Sequence, residues 1–330
     1  MSTTFNKILS YLIVCLTLFY GISEIKAESL ASTKRKEINK FFPVNSNDLL
    51  KVENRFGNIT ISHWNKQEVG IQVIIETQAA NDQRAQQELD RIEIQTHKSG
   101  NIISAITQLK NSRSNHNSKI TIDYFITLPA VVSIDLDQQY GNINLPQKNE
   151  GKALLKVQYG NIKAGSFSKP LTVKAQYSNV DLENVNRLDM KVNYCGDVSI
   201  GNGEVMDIKS NYSNITLQQV RHIDIDKKYG KLKIKSAEQV SIEVKYSDVQ
   251  IDYLVRELQA KDISYGPLHI QELAPDFKTV RINAYYSTSN ISISSHASFT
   301  VEGINLKYGS FNMNGFRTTH ESSEEKREIL

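Results

Sequence analysis

Cysteine is nearly missing from this chain: its 330 residues hold two, Cys15 and Cys195, beside six prolines and one tryptophan. An excess of charge of one sign is missing too, since 39 Lys+Arg against 36 Asp+Glu leave +3 with both signs interleaved. That balance gives no electrostatic case for a nucleic acid or an anionic membrane as partner. A long hydrophobic run occurs once, from Ile8 to Tyr20. Preceded by Lys7 and followed by Ile25-Lys26-Ala27, it reads as a secretory signal peptide over residues 1–27, cleaved after Ala27. The run is shorter than the ~20 residues a membrane span needs, so no stable membrane insertion is expected after cleavage. Cys15 leaves with the signal, and an exported chain that keeps only Cys195 has no internal disulfide. Its stability must come from packing.

Chemical motifs are as scarce as cysteine. There is no Gly-x-Ser-x-Gly elbow and no phosphate-cradling glycine loop. The seven histidines (His63, His97, His116, His222, His269, His296, His320) show neither His-x-x-x-His spacing nor a Cys-x-x-Cys companion. Asp135-x-Asp137 and Asp224-x-Asp226 could each share a cation, but apolar Ile134/Leu136 and Ile223/Ile225 make them the solvent side of a strand. No catalytic residue, cofactor or metal is therefore expected. Asn58, Asn211, Asn214 and Asn290 match the N-glycosylation pattern, as by-products of a repeat.

That repeat is what the chain has in abundance. Ten copies of one short phrase begin at Tyr140, Tyr159, Tyr177, Tyr194, Tyr212, Tyr229, Tyr246, Tyr265, Tyr286 and Tyr308, and an imperfect copy begins at Phe56. Typical copies are Tyr140-Gly-Asn-Ile-Asn-Leu, Tyr177-Ser-Asn-Val-Asp-Leu and Tyr212-Ser-Asn-Ile-Thr-Leu, with successive tyrosines 17 to 22 residues apart. A unit this short cannot bury its apolar face alone, so copies must stack into a continuous core. Within a copy, Leu171, Val173, Ala175 and Tyr177 share one parity while Thr172, Lys174 and Gln176 share the other; after Ser178-Asn179 the apolar parity shifts to Val180 and Leu182. Each copy is then two short strands joined by a bend at Gly/Ser-Asn, residues that tolerate positive φ. Equivalent strands must run parallel, one rung about 4.8 Å above the next. The fold class that follows is all-β, a parallel β-solenoid, right-handed by the general bias of parallel crossovers. The tyrosines form a structural ladder along one corner, packed there rather than offered to sugars, and Cys195 fills a tight bend where other copies carry Gly or Ser.

Upstream, residues 28–48 with Lys34-Arg35-Lys36 read as a flexible leader. Residues 49–130 read as an N-terminal strand–helix–strand cap. Leu50, Val52, Ile59 and Ile61 alternate with polar residues, as do Val69, Ile71, Val73 and Ile75, whereas Ala85, Leu89 and Ile92 fall at helical spacing behind a capping Asn81 or Asp82. Strands resume at Ile92–Ile94, Ile102–Ile106 and Ile120–Leu128, separated by a polar loop at Asn111–Ser118. The array occupies residues 131–316, and 317–330 form a polar disordered tail.

The repeated corner, together with the lead-in Lys51-Val-Glu-Asn-Arg-Phe-Gly-Asn-Ile-Thr-Ile-Ser-His-Trp64, resembles the bacterial DUF4097 family, commonly labelled adhesins and common in Bacteroidetes. The resemblance covers roughly Leu49 to Phe316. It implies a secreted or envelope-associated β-solenoid and supplies no catalytic motif.

Any ligand should be sought on the outward polar row beside the corner. Its members are Lys156, Gln158, Lys174, Gln176, Lys191, Asn193, Lys209 and Asn211, continued by Asp226/Lys228 and Glu243/Lys245. This Lys/Gln/Asn stripe has little of the carboxylate clustering that glycoside chemistry needs. The expected protein is a non-catalytic, exported envelope adhesin or scaffold, in periplasm, at the cell surface or secreted, whose partner is a glycan or another envelope protein. A carbohydrate-active β-helix enzyme is one alternative; a periplasmic scaffold or sensor of envelope stress is another.

Overall fold

The structure, a computed structural model, describes residues 31–110, 118–300, 305–307 and 310–312. The expected signal peptide, Tyr308 and the C-terminal tail lie outside them. Strand makes up 73% and helix 3%, arranged as a parallel β-solenoid of about nine turns.

The N-terminal end of the array is built from β1–β8 and one helix. They are β1 (Ser32–Pro43), β2 (Leu49–Arg55), β3 (Ile59–His63), β4 (Glu68–Ala79), α1 (Asp82–Asp90), β5 (Ile92–Ser99), β6 (Ile102–Leu109), β7 (Lys119–Leu128) and β8 (Ser133–Gln139). Strands β2 and β3, with Phe56 between them, form the first rung. Residues after β3 leave the array, wrap its end and return at β8, which pairs in parallel with β2 from Leu49↔Ser133 to Arg55↔Gln139. On the other side of the first rung, β6 lies parallel to β2 and β7 parallel to β3. Antiparallel β5 then extends one face, and β4 and β1 extend the other. The cap thus continues both solenoid faces instead of sealing the end with a plug. Helix α1 starts where Asn81 accepts a hydrogen bond from Arg84 N–H at 2.9 Å, and it buries Ala85 and Leu89 as its spacing predicts.

Two sequence expectations are corrected here. From Ser32 onward the expected leader over residues 28–48 is not free: β1 pairs along its whole length with β4, from Ser32↔Ala79 to Pro43↔Glu68. Its alternation is hidden because it is an outer strand whose contribution to the core is confined to Ile38 and Phe42. The Lys34-Arg35-Lys36 run suits such an edge, since charge there discourages pairing with another chain. The second correction concerns the corner. Leu171, Val173 and Ala175 are buried, but Tyr177, of the same parity, is exposed. Positive φ falls on the aromatic residue itself, at Phe56 and at each repeat tyrosine from Tyr140 to Tyr286, with values between 50° and 62°. One left-handed residue reverses the alternation and swings the ring out of the core.

Inside, each rung contributes alternate residues from its two main sides, such as Leu188, Met190 and Val192 followed by Val198 and Ile200, and a narrower third side adds residues such as Val185 and Val220. At about 1.5–3 kcal/mol for each large apolar side chain fully buried, this column is the main stabilising element. The corners leave backbone carbonyls facing inward, and three buried polar side chains answer them. Gln138 Nε2 donates to Gly57 O at 2.8 Å, Ser287 Oγ donates to Gly266 O, and Lys227 Nζ donates to Ser213 O, each reaching the residue after the aromatic in the preceding rung. Lys227 is 0% exposed, at a position where neighbouring rungs carry Val192 and Ser210. Its Nζ also donates to Tyr229 O at 3.2 Å.

Burial holds the Lys227 ammonium down to about 8. The neutral amine is therefore favoured by folding, and stability should rise with pH from about 8 towards the ordinary lysine range, where the unfolded chain still binds the proton and the folded one does not. Denaturant titrations between pH 7.5 and 9.5 should show this slope, and Lys227→Met should flatten it; an equal slope in both proteins would place the titration elsewhere.

Candidate functional site

Rings of Phe56, Tyr140, Tyr159, Tyr177, Tyr194, Tyr212, Tyr229, Tyr246, Tyr265 and Tyr286 stack in an unbroken file. Centroids lie 4.5 to 5.4 Å apart and planes are within 13° of parallel. The file is kept in step by backbone bonds such as Tyr140 N–H to Gln158 O at 2.9 Å and Tyr159 N–H to Gln176 O at 3.1 Å. Beside it runs an amide file. Asn142 donates through backbone N–H and side chain to Asn58 Oδ1, Asn161 does the same to Asn142, and the backbone N–H groups of Asn179 and Asp197 continue it. The ring file projects outward, yet it is a poor sugar platform. A pyranose stacks on a ring face, and every interior face is already covered by the next rung; only edges and hydroxyls meet solvent.

Tyr212 is 48% exposed, so its truncation is not the loss of a fully buried aromatic. Tyr212→Ala forfeits two stacking contacts, worth about 0.5–1.5 kcal/mol each, and keeps the left-handed strain of roughly 1–2 kcal/mol. Tyr212→Gly forfeits the same contacts but relieves the strain. The glycine variant should therefore melt above the alanine variant, the reverse of the usual order inside a strand; the opposite order in thermal melts would show that the corner is unstrained.

A recess lies on the other side of the corner, a groove of about 570 Å³. Its floor is formed by Lys156, Gln158, Lys174, Gln176, Lys191 and Asn193, six of the eight residues of the expected stripe. Lys209 and Asn211 continue both files but fall outside the groove. The register explains the arrangement. Lys156↔Lys174, Lys174↔Lys191 and Lys191↔Lys209 face one another on successive rungs, and Gln139, Gln158, Gln176, Asn193 and Asn211 form the file beside them. The amides bond along their file, Gln139 Nε2 to Gln158 Oε1 at 3.1 Å and Asn211 Nδ2 to Asn193 Oδ1 at 3.0 Å.

Five groove residues come from the cap. Glu53, Asn54 and Arg55 stand on the first rung; Thr107 and Leu109 stand on β6 after it parts from β2 at Glu53↔Ile106. Thr107 is fixed by Asn54 Oδ1 at 3.1 Å and by the buried Tyr124 hydroxyl at 2.8 Å, and Asn54 Nδ2 reaches Gln138 Oε1 at 3.0 Å. Arg55 had a sequence signal, since aligning the Phe56 copy with Tyr140 places it opposite Gln139. Thr107 and Leu109 had none, because nothing local says where β6 diverges.

Charges in the groove do not cancel. Glu53 is taken by Lys51 at 2.8 Å, and Lys156 lies 3.3 Å from Asp135 and 3.8 Å from Asp137. Desolvation, with the carboxylates of Glu53 and Asp135 nearby, pushes the Asp137 carboxyl up despite Lys156. Among the described residues, no carboxylate ion-pairs with Arg55, Lys174 or Lys191. A parallel acidic file, Asp189, Asp207 and Asp224, runs outside the groove, and Asp224 pairs with Lys261 at 3.1 Å. Asp135, Asp137 and Asp224 of the sequence's two candidate cation pairs are thus engaged by lysine, and no cluster of three metal-ligating side chains occurs among the described residues. Of the histidines, His116 and His320 lie outside those residues; burial draws His63 down, and His269 Nδ1 meets Asn290 Nδ2 at 3.2 Å.

Cys195 is buried in its corner, where its backbone N–H donates to Ser213 Oγ at 3.0 Å, and burial pushes its thiol up. A thiol reagent should leave Cys195 unmodified in the native protein at pH 8 and label it after denaturation. Prompt native labelling would mean that the corner opens.

No family model matches the sequence, and no curated protein matches it. Solved structures do. A Bacteroides fragilis protein described as a "putative adhesin" shares 12% identity, with 78% of this chain and 97% of that one covered at a TM-score of 0.34. Proteins of the same description from Parabacteroides distasonis (12% identity, 84% and 96% covered, TM-score 0.29) and Parabacteroides merdae (11%, 84% and 95%, 0.30) align similarly. No helix among the described residues is long and apolar enough to cross a membrane.

Proposed function

We propose that this chain is a non-catalytic, exported envelope protein of the DUF4097 type, an adhesin or scaffold that binds through its repetitive outer surface. The observation that supports this reading is the layout of the groove. Catalysis requires a nucleophile, a proton donor or acceptor and a charge stabiliser to converge on one reacting atom. Here like groups recur at rung spacing along files, Lys beside Lys and amide beside amide, which gives many equal contacts to an extended partner and no single reacting point.

The mature chain, labelled and applied to bacterial envelopes and to a glycan array, should bind saturably and leave bound polysaccharide at its original length. Accumulation of new reducing ends would replace this reading with a carbohydrate-active enzyme. Retention on neither surface would remove adhesion.

A further inference from the structure

Stacking like charges in register is unfavourable. Two ammonium groups about 5 Å apart repel by roughly 1 kcal/mol even at the dielectric of water, and directly opposed like charges destabilise a sheet. Lys156, Lys174 and Lys191 nevertheless face one another on successive rungs inside a recess, and Arg55 adds a further cation at its capped end. Among the described residues no carboxylate lies within ion-pair distance of Lys174, Lys191 or Arg55, whereas Lys245 elsewhere on the array has its Asp262 at 3.0 Å.

We propose that the groove binds a linear anionic polysaccharide bearing one carboxylate per sugar, a polyuronate-like chain running along the solenoid axis from Arg55 across the lysine file. This rests on the non-catalytic reading above and names its ligand class. Spacing supports the choice. Cations repeat every rung, about 4.8 Å, whereas same-side carboxylates of an extended acidic peptide recur every two residues, about 6.8 Å, and fall out of step within a few rungs. A sugar ring and its linkage advance the chain by a distance comparable with one rung. The amide file of Gln158, Gln176 and Asn193 lies beside the lysines, offering donors and acceptors for ring hydroxyls at the same repeat.

The test is isothermal titration of the mature chain with polygalacturonate oligomers at low salt, beside maltodextrin and poly-L-glutamate of matched length. Saturable binding is expected for polygalacturonate, weakening as salt rises, with little for maltodextrin. The double variant K174Q/K191Q should lose at least tenfold in affinity while melting at or above the wild-type temperature, because it relieves repulsion. K278Q, outside both the groove and the outward polar row, should bind like wild type. Unchanged affinity in the double variant overturns the site. Poly-L-glutamate bound as tightly overturns the glycan in favour of an acidic protein. Envelope binding that survives these losses would leave the non-catalytic reading standing, whereas shortening of the oligomers during titration would overturn that reading instead.

Discussion

Everything in this array depends on one residue per rung accepting a left-handed backbone. Alternation along a strand would carry an aromatic at the tyrosine position into the core, where the narrow interior is already filled by side chains of Val, Leu and Ile size. Positive φ reverses the alternation and lets the next strand start with its apolar face inward again. Each such conformation costs roughly 1–2 kcal/mol for a residue with a Cβ, and each ring stack returns about 0.5–1.5 kcal/mol. The two terms nearly cancel. The ladder therefore sets register and the angle of the bend, while the buried apolar column supplies the net stability.

That division has a functional consequence. Because the rings satisfy one another face to face, the most conspicuous repeated feature of the molecule is spent on its own geometry. The same register that aligns the rings also aligns whatever stands one and three positions earlier, outside the core. It makes files of amides and of lysines unavoidable wherever successive copies carry the same residue. Amides exploit this by bonding along the file; lysines cannot, and remain a source of unbalanced charge unless acids intervene, as Asp226 does after Lys209. The cap converts that file into a recess because β6 parts from β2 after Ile106, while still paired with β5, and places Thr107 and Leu109 beside it.

Much of this was legible from the sequence, and the limits have physical causes. Period, parallel stacking, the inward residues and the short helix all follow from spacing and parity, which are local. The corner was read with positive φ at Gly or Asn, the residues of lowest intrinsic cost, but collective stacking overrides a single-residue preference when ten rungs share it. Strand β1 escaped because only Ile38 and Phe42 of its twelve residues touch the core. The groove was half visible: its floor lies on one stripe, whereas its wall depends on where a distant strand separates from its neighbour, a long-range event with no sequence period.

Lys227 shows how far the corner constraint reaches. An inward ammonium in an apolar column ought to be selected against, since desolvation draws it down to about 8. It is tolerable because the residue after Tyr229 is Gly230, at φ 110°, which brings no side-chain hydroxyl into the corner. The neighbouring rung has Ser213, whose hydroxyl donates to Asn211 O at 2.9 Å. Where that hydroxyl is missing, a longer polar side chain from two positions before the aromatic fills the space and caps the carbonyl below. Gln138 does so ahead of Gly141, and Lys227 does so ahead of Gly230. The rule is not universal, for Val157 precedes Gly160 and brings no polar atom. Still, the pairing of a bare corner with a polar interior residue is a constraint between two positions of one copy, imposed by a carbonyl belonging to the copy before it.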